Sequence, residues 1–285
     1  MEKLKIAIQK SGRLSEKSLD IITEAGINLI NGSRKLISQS SNFPLEILYL
    51  RDDDIPQYVA DGVADAGIVG ENVFMETGIE LEILERLGFS RCRLSLAVPK
   101  SGNYSGPDYF SGKKIATSYP NILKTYLQKR GIKAEIHVIN GSVEIATGIG
   151  LADAIFDIVS SGSTLISNGL KEVEKIMDSE AVLLASPLME KNKTVIMTDL
   201  LFRLRTVLAA RNNKYILLNA PDDKLEQIIS ILPGMKSPTV LPLALKGWSS
   251  VHSVVNENDF WQVIGKLREY GAEGILVIPI EKMIF

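Results

Sequence analysis

Cysteine and histidine are nearly missing from this chain of 285 residues: Cys92 stands alone, and His137 and His252 are the only histidines. A lone cysteine excludes an intrachain disulfide and a cysteine zinc cluster. Two histidines so far apart do not assemble an HExxH metal site or a Ser-His-Asp triad on the usual pattern. An excess of one charge is missing too, since 32 basic residues face 34 acidic ones, for a formal net charge of −2. No overall field therefore draws the protein onto nucleic acid or an anionic membrane. No apolar run approaches the roughly 20 residues that a spanning helix needs. The amino-terminal MEKLKIAIQK lacks the apolar core and cleavage site of a signal peptide, so a cytoplasmic protein with no nucleic-acid or membrane partner is expected.

What is present is an α/β pattern. The chain is 45% hydrophobic and long enough to divide into two or three domains. Short apolar runs alternate with helical patterns: LKIAIQ before Leu14 to Gly26, LEILYL, ADAGIVG, and KKIATS before Tyr119 to Gly131. That alternation predicts parallel α/β units. KIA recurs at Lys5 and Lys114, and ADA recurs at Ala64 and Ala152, which suggests two similar lobes. Helical spacing without Gly or Pro predicts a long helix over Lys193 to Asn213. Beyond it, KYILLNAP, a helix near Asp222 to Leu232, SPTVLPLAL, SSVHSVVN, a helix near Glu257 to Tyr270 and GILVIPI give a βαββαβ order, that of a ferredoxin-like sandwich.

The densest chemistry lies in DAIFDIVSSGSTL. Asp153 and Asp157 are four apart, so both project to one face of an extended, otherwise apolar strand. The strand runs into Ser160, Ser161, Gly162, Ser163 and Thr164, where hydroxyls and the free amides of a helix start make a cradle for an anion. A phosphate fits such a loop, and the upstream carboxylates suit sugar hydroxyls, so a phosphorylated ribose is a candidate ligand. The plainer alternative is that Ser163 or Thr164 caps the next helix while the aspartates bond to loop amides.

These motifs, together with IAIQKSGRLSEKS, RDDDIP, DGVADAGIVGENV, RCRLSLAVP, KKIATSYPNILKTYL, NGSVEIATGIGLA, LPGMKSPTVLPLA and the ending ILVIPIEKMIF, resemble the long form of the ATP phosphoribosyltransferases across essentially the whole chain. The resemblance implies transfer of phosphoribosyl from phosphoribosyl pyrophosphate to N1 of ATP, with pyrophosphate released, in the first step of histidine biosynthesis. It implies Mg²⁺ as cofactor, feedback inhibition by histidine, and a homo-oligomer built as dimers and hexamers. The implied fold is two periplasmic-binding-protein-like α/β lobes, 1–90 with 182–212 and 91–181, plus a ferredoxin-like regulatory domain over 213–285. A competing reading is a non-catalytic, two-lobed cytosolic protein that closes on a small anion.

By the same resemblance, Asp157 with Asp153 would hold the ribose, and Ser160, Ser161, Gly162, Ser163 and Thr164 would hold the 5-phosphate. Glu144, in GSVEIA, would bind magnesium or a ribose hydroxyl; the usual Ala-Pro after it is here Ala146-Thr147. Lys10 and Arg13, in QKSGR, supply charge for a triphosphate or the departing pyrophosphate. Gly67, Gly70, Glu71 and Tyr119 join Arg13 as expected ATP contacts. Asp52 to Asp54 could chelate a metal, but the acidic first turn of a helix is the simpler reading. Asn219, Thr239 and Ala272 are the expected histidine contacts.

Overall fold

The computed structural model describes residues 2–30, 36–232 and 234–284. It divides into two units, Met1–Asp20 with Ile27–Met197, and Ile21–Gly26 with Thr198–Phe285. The chain opens with β1 (Leu4–Gln9), α1 (Arg13–Glu24), β2 (Leu29–Ile30), β3 (Ile37–Ser40), β4 (Leu45–Leu50), α2 (Ile55–Ala60), β5 (Ala66–Gly70), α3 (Glu71–Thr77) and β6 (Glu82–Arg86). It crosses into a second sheet as β7 (Cys92–Pro99), β8 (Lys114–Thr117), α4 (Pro120–Lys129), β9 (Glu135–Val138), β10 (Ala154–Val159), α5 (Ser163–Ser167) and β11 (Leu170–Ser179). It returns to the first sheet as β12 (Ala181–Ala185) and continues into α6 (Lys191–Arg211).

The two sheets, ordered β2-β3-β4-β1-β5-β12-β6 and β11-β7-β10-β8-β9, repeat one plan. In the first, β4, β1 and β5 run parallel and β12 lies antiparallel on β5. In the second, β9, β8 and β10 run parallel and β7 lies antiparallel on β10. Each lobe thus takes one antiparallel strand from a crossing, the doubled plan that the two-lobed expectation requires. The central β10 has Ala154, Ile155 and Phe156 fully buried, as a strand covered on both faces must. Phe156 packs with Leu94, Leu96, Phe110 and Leu123 on one face; Ile155 and Val159 pack with Val143 and Leu165 on the other.

The KIA and ADA echoes have a physical meaning. Ile6 pairs with Ala66 in one lobe and Ile115 pairs with Ala154 in the other. Just before those pairs, Lys5 N–H donates to the Asp65 carboxylate at 2.8 Å and Lys114 N–H donates to the Asp153 carboxylate at 2.9 Å. The return bonds, Asp65 N–H to Lys5 O and Asp153 N–H to Lys114 O, are 2.9 and 2.8 Å. One aspartate in each lobe therefore ties the entries of two parallel strands together. Such a pairing satisfies backbone groups that the sheet's end leaves open.

After α6 the chain forms β13 (Asn213–Pro221), α7 (Leu225–Ile231), β14 (Thr239–Pro242), β15 (Trp248–Asn256), α8 (Phe260–Glu269) and β16 (Glu273–Pro279). The sheet order β14-β15-β13-β16, antiparallel throughout, is the ferredoxin-like arrangement of a βαββαβ unit. Ile216, Leu218, Val251 and Val255 meet Ile228 and Leu267 of the two helices in its core. Two details depart from the sequence reading. The long helix runs Lys191–Arg211, displaced by two residues, and Asp52–Asp54 form a separate 3₁₀ turn ahead of α2, where Asp54 makes no side-chain cap bond. His137 lies on β9, as expected.

Candidate active site

In α/β sheets of this kind, ligand loops lie past the carboxyl ends of the parallel strands. Four such ends bear candidate residues here: β1 leads to Lys10 and Arg13, β5 to Gly70 and Asn72, β8 to Ser118 and Tyr119, and β10 to the serine-rich loop.

The β10 end is the most developed. Asp157, Ser160, Ser161, Gly162 and Thr164 line one pocket of about 200 Å³ together with Glu144, Ile158, Val159 and Leu165. Gly162 has φ +79°, a backbone state that L side chains rarely adopt, and it turns the chain from strand into α5. Ser161 and Ser163 hydroxyls share a hydrogen bond of 2.9 Å, and the Ser163 amide donates to Ser161 Oγ at 3.4 Å. Burial pushes the Asp157 carboxyl up to about 6; the Ile158 amide opposes the shift and the nearby Glu144 charge adds to it. A carboxylate held half-desolvated beside a second one is poised for a ligand that brings hydroxyls or a cation. Glu144 sits in a 3₁₀ turn, Val143–Ile145, behind Gly141 and Ser142, both at positive φ. Thr147, in place of the usual proline, leaves that turn intact: the Ala146 amide donates to Val143 O at 3.1 Å and the Leu151 amide to Ala146 O at 2.9 Å. Among the described residues no three His, Cys, Asp or Glu side chains gather closely enough to hold a metal.

Tyr119 lies between the lobes. Asn72 Nδ2 donates to its hydroxyl at 2.9 Å, while Asn72 Oδ1 accepts from Ser179 Oγ at 2.9 Å and the Asn72 amide donates back to Ser179 Oγ at 3.0 Å. Because the amide's oxygen and nitrogen are thus assigned, the Tyr119 hydroxyl accepts from Asn72 and keeps its own proton for another acceptor. Burial, above all, raises its pKa; the Asn72 bond opposes this, and the charges of Asp157, Cys92 and Asp52 reinforce it. Tyr119, Ser118, Asn140 and Gly141 of one lobe face Asp53, Val73, Glu76 and Thr77 of the other across a cavity of about 510 Å³. Burial, then Asp52 and Asp54, raise the Asp53 carboxyl in that cavity.

The lobes are clasped beside it. The Glu76 carboxylate, at the end of α3, accepts the Asn121 and Ile122 amides at 2.7 and 3.0 Å, and Asn121 Nδ2 donates to Glu76 O at 2.9 Å. An acid from one lobe therefore caps the first turn of α4 in the other. Burial raises the Glu76 carboxyl although the two amides oppose it, so the clean test removes the acceptors outright: Glu76→Ala would leave the Asn121 and Ile122 amides without this partner. The variant is expected to lose about 1 kcal/mol of melting stability and to show a larger radius of gyration by X-ray scattering; an unchanged profile in both measurements would refute the clasp.

Several expected contacts lie elsewhere. Asp153 sits one residue before β10 and spends its carboxylate on the Lys114 amide, with Lys113 Nζ at 4.0 Å. Four residues of strand, about 13 Å, part it from Asp157, so the two acids share a face but not a pocket. Gly67 is buried in β5, where an added Cβ would lie 2.6 Å from Ile55 Cγ2 and 2.8 Å from Val59 Cγ2. It is a packing glycine under α2 rather than a cleft residue. Glu71 is gripped by both ends of the Arg86 guanidinium and lines a cavity with Arg91, Cys92, Asp178, Ser179 and Glu180 at the two crossings between lobes. Gly70 leads into α3 as its cap. Lys10, on the loop after β1, and Arg13, the first residue of α1, are exposed and line neither the Asp157 pocket nor the Tyr119 cavity.

In the second unit, Asn219 lies on β13 against Gly274, whose added Cβ would stand 3.1 Å from Asn219 Nδ2. Ala272 lines an apolar cavity with Trp261, Ile264, Arg268 and Ile275. Thr239, on β14 opposite His252, is separated from β13 by β15. The sequence reading missed Glu76 and Asn72 as bridges and Arg93, which reaches the serine loop from β7. Their partners lie 45, 107 and 67 residues away, a distance over which no local pattern speaks.

Comparison with known proteins converges on one family. The family description "ATP phosphoribosyltransferase" (HisG) matches residues 51–206, and "HisG, C-terminal domain" matches residues 210–282. ATP phosphoribosyltransferases of Bacteroides fragilis and Bacteroides thetaiotaomicron are 62% and 61% identical, each aligned over 99% of both sequences. Among solved structures, a chain of the ATP phosphoribosyl transferase (HisG:HisZ) complex from Thermotoga maritima matches with a TM-score of 0.63 at 30% identity, covering 71% of this chain and 96% of that one. Among the described residues no helix is long and apolar enough to cross a membrane. The non-catalytic alternative is not favoured, because the Bacteroides relatives that match over the full length are named as transferases. Fold, motifs and relatives agree: the chain belongs to the ATP phosphoribosyltransferase family, a group of pentosyltransferases acting in histidine biosynthesis.

Proposed function

We propose that this chain transfers the phosphoribosyl group of phosphoribosyl pyrophosphate to N1 of ATP, the C1–O bond to pyrophosphate breaking as the C1–N1 bond forms. The observation that carries the reading is the single pocket in which Asp157 meets the loop of Ser160, Ser161, Gly162 and Thr164. In this reading the loop amides and hydroxyls hold the 5-phosphate, and Asp157 accepts from the ribose hydroxyls, fixing C1 for attack. Tyr119, whose hydroxyl proton is free to be donated, faces the nucleotide with Gly70 behind it. Lys10 and Arg13 approach the triphosphate or the departing pyrophosphate from the loop after β1.

Mg²⁺ fits the donor set. It is held through one or two carboxylates completed by substrate phosphate oxygens, and Glu144 offers such a carboxylate at the mouth of the pocket. When bound, the ion would supply charge neutralisation of the leaving diphosphate. The chain's own residues bind, orient and exclude water. The lobes are taken as 1–90 with 182–212 and 91–181, and the domain over 213–285 as regulatory, with Asn219 and Ala272 turned toward inhibitory histidine. Assembly into dimers and hexamers and a cytoplasmic setting complete the reading.

The test is direct. With ATP, phosphoribosyl pyrophosphate and Mg²⁺, pyrophosphate release is expected, and omission of either substrate is expected to stop it. No release with both present would end the reading, and release that histidine leaves unchanged would remove its regulatory half.

A further inference from the structure

Beneath the serine loop lies a group of polar side chains that the proposed reaction does not use. Arg93, on β7, donates from Nη1 to the backbone oxygen of Ser160 at 2.9 Å. Nε and Nη2 also meet the two Glu172 oxygens, at 2.6 and 2.5 Å. Ser95 Oγ donates to Glu172 Oε1 at 2.7 Å, and Ser95 is buried.

Sheet register puts this group on the face of the candidate site. Directly paired residues point to one face. Val159 pairs with Arg93, and Asp157 pairs with Ser95. Across the other edge of β7, Asp178, Lys175 and Glu172 pair with Arg93, Ser95 and Ala97. Residues three apart on a regular strand would alternate faces, but β11 slips register between Glu172 and Glu174 and again between Lys175 and Met177. Those two bulges hold Glu172 on the face of Arg93, a use to which bulges beside sites are often put.

The consequence follows from peptide geometry. In a trans peptide the C=O and the next N–H point in opposite directions. Pulling Ser160 O down onto Arg93 therefore turns the Ser161 N–H up and away from β7, and Gly162, at φ +79°, then swings the chain into α5. Because Glu172 neutralises the guanidinium, Arg93 acts on the loop and not on the ligand.

We propose that Arg93, braced by Glu172 and Ser95, is a positioning residue that presets the Ser160–Ser161 peptide for the 5-phosphate of phosphoribosyl pyrophosphate. The inference rests on the reaction proposed above. Lysine keeps the charge but, as a point donor, does not span Glu172 and Ser160 O together. Arg93→Lys is thus expected to raise KM for phosphoribosyl pyrophosphate about 10-fold, with kcat and KM for ATP nearly unchanged. Glu172→Gln, which loosens the brace and leaves the arginine in place, is expected to raise the same KM about 3-fold.

An unchanged KM for phosphoribosyl pyrophosphate in both variants would overturn the proposal. So would a parallel loss for both substrates with a lower melting temperature, the mark of a merely structural role. Should Arg93→Lys fail to fold, Glu172→Gln decides on the same two criteria. If the unmodified chain shows no transfer, the failure belongs to the reaction, and calorimetric titration with inorganic phosphate decides the positioning role: weaker binding by Arg93→Lys supports it and equal binding overturns it.

Discussion

Asp157→Asn is expected to lower kcat/KM about 10³-fold while raising the melting temperature of the protein in metal-free buffer at pH 7.5. The loss of activity follows from position. Asp157 is the carboxylate that shares a pocket with the serine loop, and an amide there is a weaker acceptor that also carries donors toward the sugar hydroxyls. The gain in stability follows from burial, which holds the carboxyl up at about 6 against an ordinary value of 3.8. Asparagine carries no charge to bury and still accepts from the Ile158 amide.

The sign and window of the pH effect are fixed by the same shift. A carboxyl raised in the folded state binds its proton more tightly there than in the unfolded chain. It therefore contributes stability at low pH that is lost as pH rises from about 4 through about 6. Above that window the wild type carries the penalty, about 3 kcal/mol for the full shift and on the order of 2 kcal/mol once the screening of this partly exposed carboxyl by solvent is allowed for. The melting temperatures of wild type and Asp157→Asn are expected to converge near pH 4 and to part by about 4 °C at pH 7.5. A variant that melts no higher than wild type at pH 7.5 would show that Asp157 is not strained by its surroundings. A variant that keeps full activity would remove it from the site.

How much of this was legible beforehand depends on the range over which each residue acts. The ferredoxin-like unit, the long helix and the strand entering the serine loop are local patterns of spacing and turn chemistry, and they came out of the sequence within three residues. Asp153 is more instructive. Its i, i+4 spacing from Asp157 put both acids on one face, which is correct, but spacing along a strand also carries a residue to the strand's other end. The clue to its place was the repeated KIA and ADA, because Asp65 and Asp153 make the same bond to Lys5 and Lys114. Read as a pair, the echoes assign Asp153 to sheet entry. Glu71 was misplaced because Arg86, 15 residues on, claims its carboxylate. Arg93 and Glu76 were invisible because what they hold lies in another strand or the other lobe.

Gly67 separates the two uses that a glycine at a strand end can have, and its substitution is expected to have a large effect on stability. Gly67→Ala should cost about 3 kcal/mol, the upper range for overpacking. The new methyl would meet Ile55 Cγ2 at 2.6 Å and Val59 Cγ2 at 2.8 Å. Both are β-branched residues on α2 with χ1 nearly fixed by the helix, so the methyls do not swing aside and α2 must lift off β5. Val59→Ala in the Gly67→Ala background removes one of the clashing methyls. Although it is destabilising by itself, it is expected to recover about 1 kcal/mol in the double variant relative to the sum of the singles. Strict additivity in urea denaturation would refute the packing account. A ligand-lining glycine would behave in the opposite way, raising KM for ATP with melting unchanged, so the two measurements together say which face of β5 this residue serves.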